Sequence, residues 1–253
     1  MGQSLIHPLK VPASSVTEHL LWDDYLLRLC DGGRLGPSLR VWSLQSPSIV
    51  LGYSNRAARE VSLERCRQHQ VPVVRRTTGG GAVLLDAGCL NYSLILPYAF
   101  HAALISADSA NQYIMGRQRL MLEKILGRPV QLMGDTDLAL DGRKVSGNAQ
   151  RRLRSALLFH GSFLCAADID LMEALLLVPS RQPAYRSKRI HRHFLINLNI
   201  SPSSIKHGLM ESWATGGAEE NESAIDVDSR IWEQCIRRLG NAFQDAHTFS
   251  SEP

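Results

Sequence analysis

The chain has 253 residues, 44% hydrophobic and 21% charged, with 28 Lys and Arg against 24 Asp and Glu for a formal charge of +4, the arithmetic of one soluble globular domain with room for a small appendage. No uninterrupted apolar run reaches the roughly 18 residues of a membrane-spanning helix, and the amino terminus carries neither an export signal nor a myristoylation motif, which would want Ser or Thr where Ile6 stands. Five scattered cysteines with no CxxC argue against a disulfide framework and for a reducing, cytoplasmic setting.

Residues 1–15 form an extension without periodicity. Ser15-Val16-Thr17-Glu18 is a capping box ahead of apolar residues at helical spacing and predicts a helix from Val16 to Cys30. After the turn DGGRLGPS, the runs LRVWSL and SIVLGYS read as strands, followed by a helix near Ser62 to His69. VPVVRR, AVLLD and CLNYSLILP are three more strands, and a helix is predicted over 109–126. VQLM, DLAL, RKVSGNAQ and ALLFHGSFLCA are strand-like, with Asp141-Gly142 a strong two-residue hairpin signal. Helical patterns return at DIDLMEALL, ISPSSIKHGLMESW and DSRIWEQCIRRLGNAFQDA, the last two separated by the polar linker Gly-Gly-Ala-Glu-Glu-Asn-Glu-Ser. No internal repeat is visible, and strands followed by helices point to an α+β class with a largely antiparallel sheet. The division is an extension at 1–15, a main domain at 16–205 and a helical C-terminal segment at 206–253.

Two segments can carry chemistry. In RRTTGGGAVLLDAGCLNYS, residues 75–93, three consecutive glycines suit a sharp turn or a backbone that a ligand touches, and Arg75 and Arg76 add charge for a phosphate or carboxylate. Read alone, the cluster is more simply a flexible hairpin turn than an anion site, and it is not a Walker A loop. In GDTDLALDGRKVSGNAQRRLRSALLFHGSFL, residues 134–164, period-two geometry puts Lys144 and Ser146 on one face, with Asp137 on the partner strand. Lysine is the rarer cation here, five residues against twenty-three arginines, so a lysine can mark a place where a compact ammonium is wanted, although composition alone favours chance and a solvated Lys144. His160 and Gly161 interrupt a later apolar strand, where an imidazole needs a partner.

RRTTGGGAVLLDAGCLNYS followed by TDLALDGRKVSGNAQ and FHGSFL resembles the lipoate-protein ligase and octanoyltransferase family, four motifs in order, with the resemblance covering about residues 16–200. It implies a mixed, largely antiparallel sheet flanked by helices, the catalytic fold of biotin and lipoate ligases and of class II aminoacyl-tRNA synthetases. It implies an ATP-dependent ligase that binds lipoate or octanoate with ATP and Mg2+ as substrates, forms an acyl-adenylate, and passes the acyl group to a lysine of an acceptor lipoyl domain. By the same resemblance Lys144 bridges the acyl carbonyl and the α-phosphate. Arg76, Gly79, Gly80, Gly81, Ala82, Val83 and Leu84 hold the nucleotide, and Asp137, Ser146 and Gly147 complete the adenylate site. His160 and Gly161 line the acyl tunnel.

Departures separate the alternatives. Octanoyltransferases commonly work through a cysteine thioester, yet Ser180 follows Pro179 where one branch has cysteine, and Met133-Gly134-Asp135-Thr136 has none where another branch does. Cys89 and Cys165 fall beside motifs at positions that need no thiol. Leu85 replaces the histidine that many members place before the aspartate, which alters the shape or polarity of the acyl pocket. Only about fifty residues follow Ile200, so the accessory domain of large ligases is absent from this chain or supplied as a separate subunit. The alternatives are an octanoyl or lipoyl transferase drawing on a carrier-protein thioester or another lipoyl protein, and a non-catalytic lipoate-binding protein. Arg181, Arg186, Lys188, Arg189 and Arg192 form a basic stretch, read as a rim that steers an acidic acceptor domain rather than nucleic acid. The histidines have no zinc-site spacing, so no tightly bound metal is expected.

Overall fold

The capping box forms as written in the sequence. In the computed structural model, which describes residues 6–179, 181–213 and 225–244, the Ser15 side chain accepts the Glu18 N–H, the Glu18 carboxylate returns to the Ser15 N–H at 3.1 Å, and helix α1 (Val16–Asp31) follows. Ser180 and the linker at 216–223 lie outside the described residues.

Seven strands make the main sheet, in the order β1 (His7–Pro8), β2 (Ser38–Trp42), β6 (Cys89–Pro97), β10 (Ala156–Leu164), β9 (Arg143–Arg152), β8 (Asp137–Leu140) and β7 (Gln131–Met133). All neighbours are antiparallel except β1 and β2, so the expected mixed, largely antiparallel sheet is present. The β8–β9 hairpin turns at Asp141 and Gly142 with φ of 49° and 70°, the two positive values that a type I′ turn requires. A second sheet of β4 (Val73–Arg75), β3 (Ser48–Leu51) and β5 (Val83–Leu85) stands beside it.

Alternation divides the main sheet between two covers. Leu90, Tyr92, Leu94 and Leu96 of β6, with Leu157, Phe159 and Phe163 of β10, face helices α4 (Ala107–Leu126) and α7 (Pro202–Trp213), whose Ile114, Met115, Leu122, Ile205 and Leu209 complete that core. Ile95, Ala156 and Leu158 face the other way, onto α1 and onto α8 (Ser229–Gln244) through Cys235 and Leu239. Trp232 of α8 meets Trp22 and Tyr25 of α1 edge-on at 4.8 and 5.2 Å between ring centroids. The described part of the C-terminal segment is therefore packed on the core, and the boundary read at 205 falls inside α7. The small sheet buries one face against α3 (Leu63–Gln68) and α5 (Ile169–Leu175) and the other against Val16 and Leu20 of α1. Helix α1 thus touches both sheets, and the seam between them is where the glycine-rich loop lies. No described helix is long and apolar enough to cross a membrane.

Replacing Ser15 with Ala should cost about 1 kcal/mol and lower the thermal midpoint by roughly 2–4 °C. Unfolding followed by circular dichroism checks this, and an unchanged midpoint would remove the capping box from the account of α1.

Candidate functional site

The loop 76–82 joins β4 to β5, and one buried side chain determines its shape. Arg76 donates through Nε to Thr78 Oγ1 at 2.8 Å, through Nη2 to the carbonyls of Gly79 at 2.7 Å and Gly81 at 2.9 Å, and through Nη1 to that of Val50 at 3.3 Å. Burial pushes its ionisation down to about 10, which leaves it a cation at neutral pH. Two carbonyls drawn inward have a consequence on the other side. In a trans peptide the next N–H points opposite to the C=O, so the N–H groups of Gly80 and Ala82 face away from Arg76, on the exposed side of the loop. Gly80 has φ of +91°, and a Cβ there would sit 2.8 Å from Arg76 Nη2; a Cβ at Gly52 would sit 2.0 Å from the Gly80 carbonyl oxygen. Arg75 is buried too and donates to the carbonyls of Gly52, Tyr53 and Asn55 at 3.0, 3.2 and 2.6 Å. The expectation that this arginine pair offers its charge to a ligand is corrected: both guanidinium groups brace the backbone that a ligand would meet.

Strand β9 supplies the lysine, on a face the sequence misassigns. Leu138 pairs with Ser146 and Ala139 with Lys144, so β9 carries one extra residue, a bulge at Val145. The bulge breaks the period of two. Lys144 lies across Gly147, where a Cβ would come 2.6 Å from Nζ, whereas Ser146 is fully buried and accepts from Asn148 on the opposite face. Lys144 and Ser146 therefore do not share a face as expected. Lys144 Nζ is 2.8 Å from Asp137 Oδ1, and the Tyr185 hydroxyl donates to Asp137 Oδ2 at 2.8 Å. Ala149 lies 3.8 Å from where a Gly80 Cβ would be, so the lysine and the glycine loop stand over positions two residues apart on one strand face, a separation of about 7 Å by strand rise.

A buried polar chain ties this face to α1. Thr78 Oγ1 is 2.8 Å from His160 Nε2, and His160 Nδ1 is 3.1 Å from Asp23 Oδ2. Asp23 also pairs with Arg40, which lies 3.1 Å from His19 Nδ1, and His19 stacks on Trp42 at 4.1 Å. An ionised carboxylate only accepts, so in the neutral imidazole the proton sits on Nδ1 toward Asp23 and Nε2 accepts from the Thr78 hydroxyl. Burial alone would raise the Asp23 carboxyl, but Arg40 and His160 outweigh it and hold it below its ordinary range. Gly161, on the other face, gives its Cβ space to Asn148, whose Oδ1 would be 1.8 Å from it and which accepts from the Tyr92 hydroxyl at 2.6 Å.

The structure thus brings Gly79, Gly80, Gly81, Ala82, Lys144, Gly147, Asp137 and His160 to one side of the sheet and leaves Ser146 and Gly161 on the other. Val83 begins β5, and Leu84 is buried in the small-sheet core. Leu85 packs with Val16, Leu20 and Leu44, so its expected effect on an acyl pocket gives way to a core role. All five cysteines are buried; burial pushes the thiols of Cys30 and Cys235 up to about 12 and that of Cys165 to about 11, and raises Cys66 and Cys89 as well. The basic rim shrinks, because Arg186 is buried over the Phe194 ring, Arg189 donates to the carbonyls of Gly142 and Tyr185, and Arg192 pairs with Asp170 at 2.9 Å. Tyr185 and Asp23 were not among the expected site residues, and Thr78 lay in the glycine motif with no role assigned. Asp23 had a signal, two consecutive aspartates in the apolar helix LLWDDYLL, which demand buried partners.

Residues 15–212 match the model of the lipoyl protein ligase A/B catalytic domain. The chain is 29% identical over 256 residues to the octanoyltransferase LipM of Brevibacillus brevis, covering 89% of this chain and 92% of that one. Its fold resembles that of a bipartite lipoate protein ligase of Thermoplasma acidophilum, with TM-score 0.68, 21% identity and 98% of each chain covered. It also resembles LipL1 of P. falciparum, with TM-score 0.74, 17% identity and 97% and 75% covered.

Arg76→Lys removes the planar fork that reaches two carbonyls and a hydroxyl at once. The expected result is a folded but less stable protein, destabilised by about 3 kcal/mol or more, as when a buried charge network is broken; urea unfolding measures it, and wild-type stability would refute the bracing role. His19 and His191 provide a pH test. Burial, aided by Arg40 for His19 and by Arg186 for His191, pushes both imidazoles down to about 4. Unfolded, they protonate near the usual ~6.5. The unfolded state then binds the extra protons, so their contribution is complete above about pH 6.5 and is lost as pH falls toward 4. The urea midpoint should drop across that window, and His191→Gln should flatten the slope; a pH-independent midpoint would contradict it.

Proposed function

The chain belongs to the lipoyl protein ligase A/B catalytic domain family, and from that membership we propose that it transfers a medium-chain acyl group, octanoyl or lipoyl, to a lysine amine of an acceptor lipoyl domain. The observation that carries the reading is the placement of Lys144, a compact cation across Gly147, on the strand face that the outward N–H groups of Gly80 and Ala82 overlook. Acyl transfer needs charge stabilisation where oxygen becomes anionic, and preorganised donors supply it. The acceptor amine attacks the acyl carbonyl, the C–N bond forms, Lys144 donates to the oxyanion, and the leaving group departs as the amine gives up its proton.

The first donor is a carrier-protein octanoyl thioester, a reading supported by the octanoyltransferase names of the curated relatives. In that case the C–S bond breaks and the carrier thiolate leaves directly, because five buried, hard-to-ionise cysteines favour transfer without an enzyme thioester. The same cysteine burial supports a second donor, an acyl-adenylate made from lipoate and ATP with its Mg2+. There the loop N–H groups would face the phosphate while Lys144 faces the carbonyl.

Intact-mass spectrometry of an apo lipoyl domain decides between them, with octanoyl carrier protein in one reaction and lipoate plus Mg-ATP in another. Product from the thioester alone supports the transferase, and product only with ATP supports the ligase. Lys144→Ala should lower kcat/KM by roughly 10²–10³ with whichever donor works. No product from either donor would overturn the acyl-transfer reading.

A further inference from the structure

The site's lysine is held by a carboxylate that is itself held. Asp137 presents Oδ1 to Lys144 Nζ and Oδ2 to the Tyr185 hydroxyl, each at 2.8 Å, so one carboxylate links the strand to the loop that carries Tyr185. That loop is seated rather than loose. Pro183 and Tyr185 lie over Gly134, where a Cβ would be 3.2 Å from Pro183 Cβ and 3.6 Å from Tyr185 Cε1. Arg189 Nη2 ties the carbonyl of Tyr185 to that of Gly142 at 2.7 and 3.0 Å, and the Tyr185 ring sits 5.2 Å from Phe194. Burial, reinforced by Asp137, raises the phenol, so the hydroxyl remains a donor at any working pH.

A carboxylate oxygen engaged by a neutral donor leaves less negative charge for the ammonium on its other oxygen. An ammonium has three N–H donors, so Lys144 can donate to an acyl carbonyl while bonded to Asp137, and how far it can lean toward that carbonyl depends on how tightly the carboxylate holds it. We propose that Tyr185 is a positioning residue that sets how tightly Asp137 holds Lys144, and so how readily the ammonium reaches the acyl carbonyl. This deepens the acyl-transfer reading and rests on it for its catalytic consequence, while the grip on Lys144 is a property of the protein alone.

The chain's five lysines make that grip measurable. Trace labelling with acetic anhydride, read by peptide mass spectrometry, gives the rate at Lys144 relative to Lys10, Lys124, Lys188 and Lys206. Tyr185→Phe keeps the ring and its packing on Phe194 and removes only the hydroxyl. It should lower relative labelling of Lys144 severalfold, Asp137→Asn should raise it, and adding Tyr185→Phe to Asp137→Asn should change nothing further. In turnover, Tyr185→Phe should lower kcat about tenfold, with KM for the donor and the thermal midpoint unchanged, and this drop too should vanish in the Asp137→Asn background. An equal effect of Tyr185→Phe in both backgrounds would make Tyr185 a packing residue, and no effect in either would remove it from the site; both results overturn the inference. Failure of the wild-type protein to transfer from either donor would instead overturn the proposed function and leave the labelling arm to decide on Tyr185.

Discussion

A guanidinium buried under a glycine loop is the constraint from which the rest of the site follows. An isolated charge in such a place would be prohibitive, and Arg76 is tolerable because Thr78, Gly79, Gly81 and Val50 surround it with oxygens. The arrangement has a direction. Oxygens turned in leave N–H groups turned out, so a buried cation produces, on the exposed side, a surface that favours negative charge. Of the three glycines the middle one is required by the fold: at Gly80 a side chain would collide with the arginine and φ is positive, whereas a Cβ at Gly79 or Gly81 would meet nothing within 4 Å. The same threonine that accepts from Arg76 continues through His160 and Asp23 to Arg40, so the loop is anchored to α1 and to the main sheet as well as to its own strands. Each member of that chain satisfies the next, which is the condition under which a buried polar network rigidifies rather than destabilises.

Against that fixed loop the bulge in β9 does the second piece of work. Without the extra residue at Val145, alternation would keep Lys144 in step with Ser146 and Asn148, on the face that packs under α4. With it, Lys144 crosses to the side of Gly147, Ala149 and His160 while Val145 still fills the core. One inserted residue therefore decides which face of the sheet carries the ammonium. Gly147 completes the arrangement, since any side chain there would occupy the space through which the lysine runs.

These two features show what was readable in the sequence and what was not. Helix α1 and the Asp141-Gly142 hairpin were legible because their determinants are local: a capping box within four residues, and a dipeptide that tolerates positive φ. The motif glycines were legible as close approaches, though not what they approach. The roles of Arg75 and Arg76 were inverted, because charge in a sequence carries no sign of whether carbonyls or ligands will meet it. A bulge is a relation between two strands, so the face of Lys144 could not be read from β9 alone. Tyr185 lies 48 residues from Asp137 in the chain, and nothing local marks it as a partner.

The folding-in of the basic segment bears on how an acceptor would be recognised. Arg186 and Arg189 stack on Phe194 and bind loop carbonyls, and Arg192 is paired, so of the five charges read as a steering rim only Arg181 and Lys188 are exposed without such roles among the contacts described. Their neighbours instead fix the loop that seats Tyr185 over Gly134 and against Asp137. Charge that looked like a means of attracting a partner is thus used to hold the site's lysine in register. Bonds to neutral carbonyls leave Arg186 and Arg189 cationic, so under the proposed acyl transfer the segment can brace the loop and still contribute a positive field toward an acceptor domain.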